Sequence, residues 1–279
     1  MNSGIVSHGG TVNVNHSAVG PNATYHASGW SSRPERLADL GVITMKPLET
    51  QAVRDRLGLV PRRSGTLRFH EGTVEGTRVA ALQTLAQGNR SVIMACQNLQ
   101  RMFNPPVIAL TGIAGGIHKD VEIGDVVIAT SVVYYDLRKK TASGTRHRSD
   151  EKPSSAHVVN AVNDFFVDKG EPAVVSGFRV HQSPIGSGEA VIAVEESEIV
   201  RHLQAYNDKI LAVDMEAGGF TQAFYEQAGD NTAQGWVVVR GISDRAGPDR
   251  HYGEHERAAT HAALTLRELL PYLVINAPG

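Results

Sequence analysis

The 279-residue chain is poor in cysteine: Cys96 is its only one. A lone thiol closes no internal disulfide, so the expected compartment is the reducing cytoplasm. Cys96 sits in the run Val92-Ile93-Met94-Ala95-Cys96 and reads as a small core residue. No uninterrupted apolar stretch is long enough to span a bilayer, so no membrane partner is expected. The N-terminus lacks a basic stretch followed by an apolar core, the pattern of a signal peptide. The net charge is only −2, with 20% charged residues, which argues against a general nucleic-acid binder. A phosphate-binding lysine loop and a dinucleotide fingerprint are both missing. The twelve histidines include His251 and His255, four apart, but no acid–histidine zinc motif. The expectation is therefore an enzyme or binding domain without metal or organic cofactor.

Acids are also missing from the first 34 residues; Glu35 is the first. Residues 1–36 are dominated by Gly, Ser, Asn, Thr and His, with too few large apolar groups to build a core. Gly10 to Gly20 alternates apolar and polar residues. The segment reads either as a disordered tail or as a β-stacking assembly element. His16-Ser17-Ala18-Val19-Gly20-Pro21-Asn22-Ala23-Thr24 resembles short bacterial amyloid-signalling motifs. That resemblance implies an amyloid-type partner and a place ahead of an effector domain in a defence system.

Hydrophobic residues make up 41% of the chain, and residues 37–279 show a pattern of alternating strands and helices. Leu40–Thr44 reads as a buried strand, and Pro47 suits the first turn of a helix to Leu57. Further strands are expected at Leu67–Phe69 and Thr77–Leu82. Asn89–Phe103 has helical spacing, with Val92, Cys96, Leu99 and Phe103 on one face. Val107–Leu110 is a strand that runs into a glycine-rich loop, Thr111-Gly112-Ile113-Ala114-Gly115-Gly116. Strands follow at Asp125–Thr130 and Val132–Tyr135, then a basic loop over Leu137–Ser155. Ala156–Val167 reads as a helix, Val174–Val180 as a strand and Ile185–Ala190 as a turn. Helices at Glu195–Tyr206, Glu216–Ala228 and Glu254–Leu273 alternate with strands at Ile210–Val213 and Trp236–Arg240. The fold class is α/β: a three-layer α/β/α arrangement on a central mixed sheet. Ligands of such sheets bind beyond the carboxyl ends of strands. The glycine loop, Glu216 and Asp244 all fall at such ends.

Several short motifs occur in order: the Thr-Gly-Ile-Ala-Gly-Gly loop, Gly124-Asp125-Val126-Val127, Ser187-Gly188, Asp214-Met215-Glu216 and Ser243-Asp244. With them the chain resembles the nucleoside phosphorylase and nucleosidase superfamily. The branch it most resembles is the 5′-methylthioadenosine/S-adenosylhomocysteine nucleosidases, over roughly Leu37 to Leu273. The resemblance implies a nucleoside phosphorylase-like fold and cleavage of the N-glycosidic bond of a purine nucleoside or nucleotide. It also implies a homo-oligomer, a dimer or larger.

Residue by residue, it implies that Met215 and Glu216 hold the ribose. One carboxylate accepts bonds from two adjacent hydroxyls and steadies a sugar that gains cationic character. Asp244 protonates the departing purine, with Ser243 beside it. Glu49, eight residues after Gly41, activates water; without it the reaction would be phosphorolysis, the rival reading. The family often has consecutive acids here, where this chain has Lys46-Pro47-Leu48. Gly112, Ile113, Ala114 and Gly115 bring backbone N–H groups to the ligand. Ile113 stands where relatives often have serine. Val191 and Ile192 flank the base without the usual aromatic. Asp214 neighbours the ribose grip, and Arg240 is a partner for a carboxylate or phosphate. Arg138, Lys139 and Lys140, with Arg146-His147-Arg148, read as a 5′-phosphate or triphosphate site or as a solvated loop. Tyr135-Asp136 reads as structural support. A reading of another class also stands: an assembly or signalling protein whose nucleosidase fold is regulated or silent.

Overall fold

The computed structural model describes residues 35–142, 144–190, 192, 197–226, 233–245 and 252–273. Along the chain come β1 (Leu40–Thr44), α1 (Pro47–Leu57), β2 (Val60–Ser64), β3 (Leu67–Val74), β4 (Thr77–Gln83) and α2 (Asn89–Phe103). Then follow β5 (Val107–Gly116), β6 (Val126–Ala129), β7 (Ser131–Thr141), β8 (Gly144–Pro153) and α3 (Ala156–Lys169). The last part comprises β9 (Ala173–Val175), β10 (Phe178–Gln182), β11 (Ile185–Ser187), α4 (Glu198–Tyr206), β12 (Ala212–Asp214), α5 (Ala217–Glu226), β13 (Gly235–Asp244) and α6 (Tyr252–Leu273). The segment 1–36 lies outside the described residues except for Glu35 and Arg36.

The strands form one mixed sheet. Its main path runs β2-β3-β4-β1-β5-β12-β11-β7-β8. β5 is the branch point. It pairs in parallel with β1 over Val107–Leu110, while β13 runs parallel to it from Val107 to Gly115. β12 pairs antiparallel with its last residues, Gly115 and Gly116.

Side chains alternate across the sheet, and that alternation makes the layers. Leu40, Val42, Val107, Ala109, Val237 and Val239 point to one side, into a core shared with α1, α3 and α6. Ile43, Ile108, Leu110, Trp236 and Val238 point to the other, into a core shared with α2 and α5. A strand covered on both faces is apolar at every position, which is why the first halves of β13 and of β5 are continuous hydrophobic runs. Cys96 is fully buried in the second core, and burial pushes its thiol up to about 12. No helix among the described residues is long and apolar enough to cross a membrane.

The structure corrects four local expectations and adds one strand that none foresaw. The glycine segment 111–116 is not a loop: β5 continues through it, because β13 on one side and β12 on the other satisfy its backbone. The expected loop Leu137–Ser155 is mostly a long antiparallel hairpin, β7–β8, with Lys139 opposite Arg146 and Arg138 opposite His147. Its charged side chains hid a strand signal that rests on backbone pairing. The expected strand Val174–Val180 is two strands, β9 and β10, split at Ser176-Gly177, where both residues have positive φ and close a two-residue hairpin. Ile185–Ser187 is a short strand between β7 and β12 rather than a turn. The exposed edge strand β2 gave no apolar pattern to read.

Candidate active site

At the ends of three strands, β1, β12 and β13, carboxylates come to one place. Glu49 sits at the third position of α1, just after β1 ends. Its Oε2 accepts the N–H groups of Met45 at 2.8 Å and Lys46 at 2.9 Å. An acid at that position satisfies N–H groups that a helix start leaves open. Its Oε1 accepts the N–H of Ile113, in β5, at 3.1 Å. The carboxylate is thus locked between the helix start and the glycine segment, and it is buried. Gly112 is required there. A Cβ on it would lie 2.5 Å from Arg240 Nη1 and 2.6 Å from Glu49 Oε1.

Asp214 ends β12 and caps α5. Its Oδ1 accepts the N–H groups of Glu216 and Ala217, and its Oδ2 accepts that of Ala217 at 3.1 Å. Oδ2 also receives Arg240 Nε at 3.0 Å and Arg240 Nη2. Asp214 thus ties Arg240 to the start of α5 while lining the cleft.

Arg240 is wholly buried in β13. Its Nη2 also donates to Glu216 Oε2 at 3.1 Å. The other Glu216 oxygen accepts the N–H of Gly88 at 3.1 Å. Burial pushes the Glu216 carboxyl up to about 7; Arg240 pulls it down, and the charges of Asp214 and Glu49 push it up. Asp244 ends β13, and its Oδ2 accepts the hydroxyl of Ser243 at 2.9 Å.

These groups border one cleft. Glu49, Ile113, Ala114, Gly115, Ile192, Asp214, Met215, Glu216, Ser243 and Asp244 all line it. Gly112 and Arg240 stand directly behind Glu49 and Glu216 rather than in the wall. Val191 lies outside the described residues. Arg138, Lys139 and Lys140 are not brought to this cleft. They are exposed on the β7–β8 hairpin, and Arg138 pairs with Asp136 at 3.1 Å.

Sequence reasoning missed Met45, Lys46, Gln87, Gly88 and His255 as parts of the site or its support, and read Tyr135, which also lines the cleft, only as support. The Lys46-Pro47-Leu48-Glu49 spacing, an acid three residues past a helix entry, was a usable signal for Met45 and Lys46. Gln87 and Gly88 gave none. Gly88 reaches Glu216 across 128 residues of sequence, a contact that only the folded sheet creates.

The chain is similar to known proteins. Two curated relatives are named 5′-methylthioadenosine/S-adenosylhomocysteine nucleosidases. One, from Chromohalobacter salexigens, is 26% identical over 212 residues, covering 74% of this chain and 84% of the relative. The other, from an Exiguobacterium species, is 29% identical over 213 residues, covering 74% and 85%. Among solved structures, the Neisseria meningitidis nucleosidase of the same name, in complex with methylthio-immucillin-A, matches with a TM-score of 0.67. It is 22% identical, and the match covers 83% of this chain and 97% of that one. Futalosine hydrolase of Helicobacter pylori also matches at a TM-score of 0.67, 17% identical, over 84% and 98%. These likenesses show the nucleoside phosphorylase-like fold. The profile of the Phosphorylase superfamily matches residues 39–274, and the chain belongs to that superfamily.

Proposed function

We propose that this protein hydrolyses the N-glycosidic bond of a purine nucleoside or nucleotide, with adenine as the favoured base. The observation that carries the reading is the meeting of Glu49, Glu216 and Asp244, from three distant parts of the chain, around one cleft. Ionised Glu216 accepts the two ribose hydroxyls, with Met215 against the sugar. Glu49 takes a proton from a water that attacks the anomeric carbon. Asp244 gives a proton to the purine as the carbon–nitrogen bond breaks, so the products are free base and ribose-type sugar. The names of the relatives support adenine.

Water fits this cleft better than phosphate as nucleophile. Its described lining holds four carboxylates and a single lysine, and the buried guanidinium of Arg240 is already engaged by two of those acids. A free phosphate dianion attacking the anomeric carbon would lie against Glu49 and Glu216 and meet repulsion there that neutral water does not. Adenine release is therefore expected to proceed at the same rate in phosphate-free buffer as in 50 mM phosphate, roughly a saturating level for a substrate. Strict dependence on phosphate would assign a phosphorylase instead.

We further propose that residues 1–36 form an assembly element that gathers the catalytic domain, as in a defence effector. The support is the absence of acids from its first 34 residues and the apolar–polar alternation of Gly10 to Gly20. Deletion of residues 1–36 is expected to leave a smaller particle by light scattering. An unchanged solution size and an unchanged specific activity would together remove the assembly reading.

A further inference from the structure

We propose that Lys46 recognises a phosphate carried on C5′ of the substrate, an inference that rests on the nucleosidase reading above. The charged groups of the cleft are unbalanced. Glu49, Asp214, Glu216 and Asp244 line it, and Lys46 is the single Lys or Arg among the described lining residues. Lys46 is half-buried, yet no described carboxylate lies within ion-pair distance of its ammonium; the acids nearby are taken up by Arg240, by backbone N–H groups and by Ser243. Its backbone is fixed, because its own N–H is held by Glu49 Oε2 at 2.9 Å. The side chain therefore starts from a defined point three residues before the water-activating acid.

The parts of a nucleoside can be matched to the lining. Asp244 and Ser243 serve the base, Met215 and Glu216 the ribose diol, and Glu49 the anomeric carbon. The C5′ substituent is what remains. A neutral substituent makes no use of a lysine in the cleft lining, whereas a phosphate forms a charge-assisted bond with its ammonium. The basic residues 138–140 are outside this lining, so within one chain the task falls to Lys46.

The test uses the full chain with adenosine, 5′-methylthioadenosine, AMP, ATP and S-adenosylhomocysteine, with adenine release read by chromatography. Wild type is expected to favour AMP or ATP over adenosine in kcat/KM. Lys46→Met should reduce that ratio about 10- to 100-fold, the span of one charge-assisted bond, and Lys46→Arg should restore part of it. A ratio that does not change in Lys46→Met overturns the proposal. A loss confined to S-adenosylhomocysteine also overturns it, since Lys46 would then read a carboxylate. If no substrate releases adenine, the nucleosidase reading fails separately. The Lys46 proposal is then decided by calorimetry: a lower AMP-to-adenosine affinity ratio in Lys46→Met supports it, and an equal ratio overturns it.

Discussion

Replacing Glu49 by Gln, or Asp244 by Asn, is expected to lower kcat by at least ~100-fold on a purine nucleoside, the usual contribution of a positioned acid or base. The two losses should differ in kind. Glu49→Gln puts an amide where three backbone N–H groups now converge on one carboxylate. One of those N–H groups then faces another donor, and the side chain no longer takes a proton from water. That defect is independent of the leaving group. Asp244→Asn keeps a partner for the Ser243 hydroxyl but has no proton to give. Its loss should shrink on a riboside whose leaving group departs as a stable anion, such as 4-nitrophenolate. Steady-state kinetics on adenosine and 4-nitrophenyl riboside separate the two. Equal losses on both substrates for Asp244→Asn would remove its role as the acid.

The second large effect is on pH. Ribose binding as proposed needs Glu216 ionised, while burial holds its carboxyl up to about 7. kcat/KM is therefore expected to rise through neutrality, with an inflection near 7 set by the free enzyme. The linkage to stability has the opposite sign. A carboxyl raised in the folded state binds its proton more tightly there than in the unfolded chain. Its contribution is complete below the ordinary carboxylate range and is lost as pH rises through about 7. Arg240→Met removes the guanidinium that two buried acids share. Breaking such a pair typically costs about 3–5 kcal/mol, because the remaining charges are left buried alone. The variant should melt lower than wild type, more so at pH 8 than at pH 6, and its residual activity should have its inflection moved upward. Thermal melts at both pH values and a pH profile of kcat/KM check this. A Tm deficit independent of pH would show that Arg240 does not set the charge of Glu216.

The chain's own pattern carried the layers a long way. The runs at Leu40–Thr44, Val107–Leu110 and Trp236–Arg240 are strands because they are apolar at both parities, and only a sheet covered on both faces uses such runs. The helical spacing of Val92, Cys96, Leu99 and Phe103 located α2 and its buried face. The residue types at positions 49, 216 and 244 named a chemistry, since each acid stands at a strand end or helix start where a ligand can reach it.

What the pattern could not carry was whatever depends on long-range pairing. Gly112–Gly116 looks like a turn because glycine permits turning; neighbouring strands make it a strand, and Gly112 is there to leave room for Glu49 and Arg240. Residues 137–141 look like a solvated loop because charge conceals a ladder built of backbone bonds. The same fold moved the basic run out of the cleft wall and brought Lys46 into it. Local sequence specified which segments form strands and helices and which acids are chemically able. Only the tertiary structure decided which charges share one cleft, because that follows from strand order, and strand order comes from contacts among residues far apart in the chain.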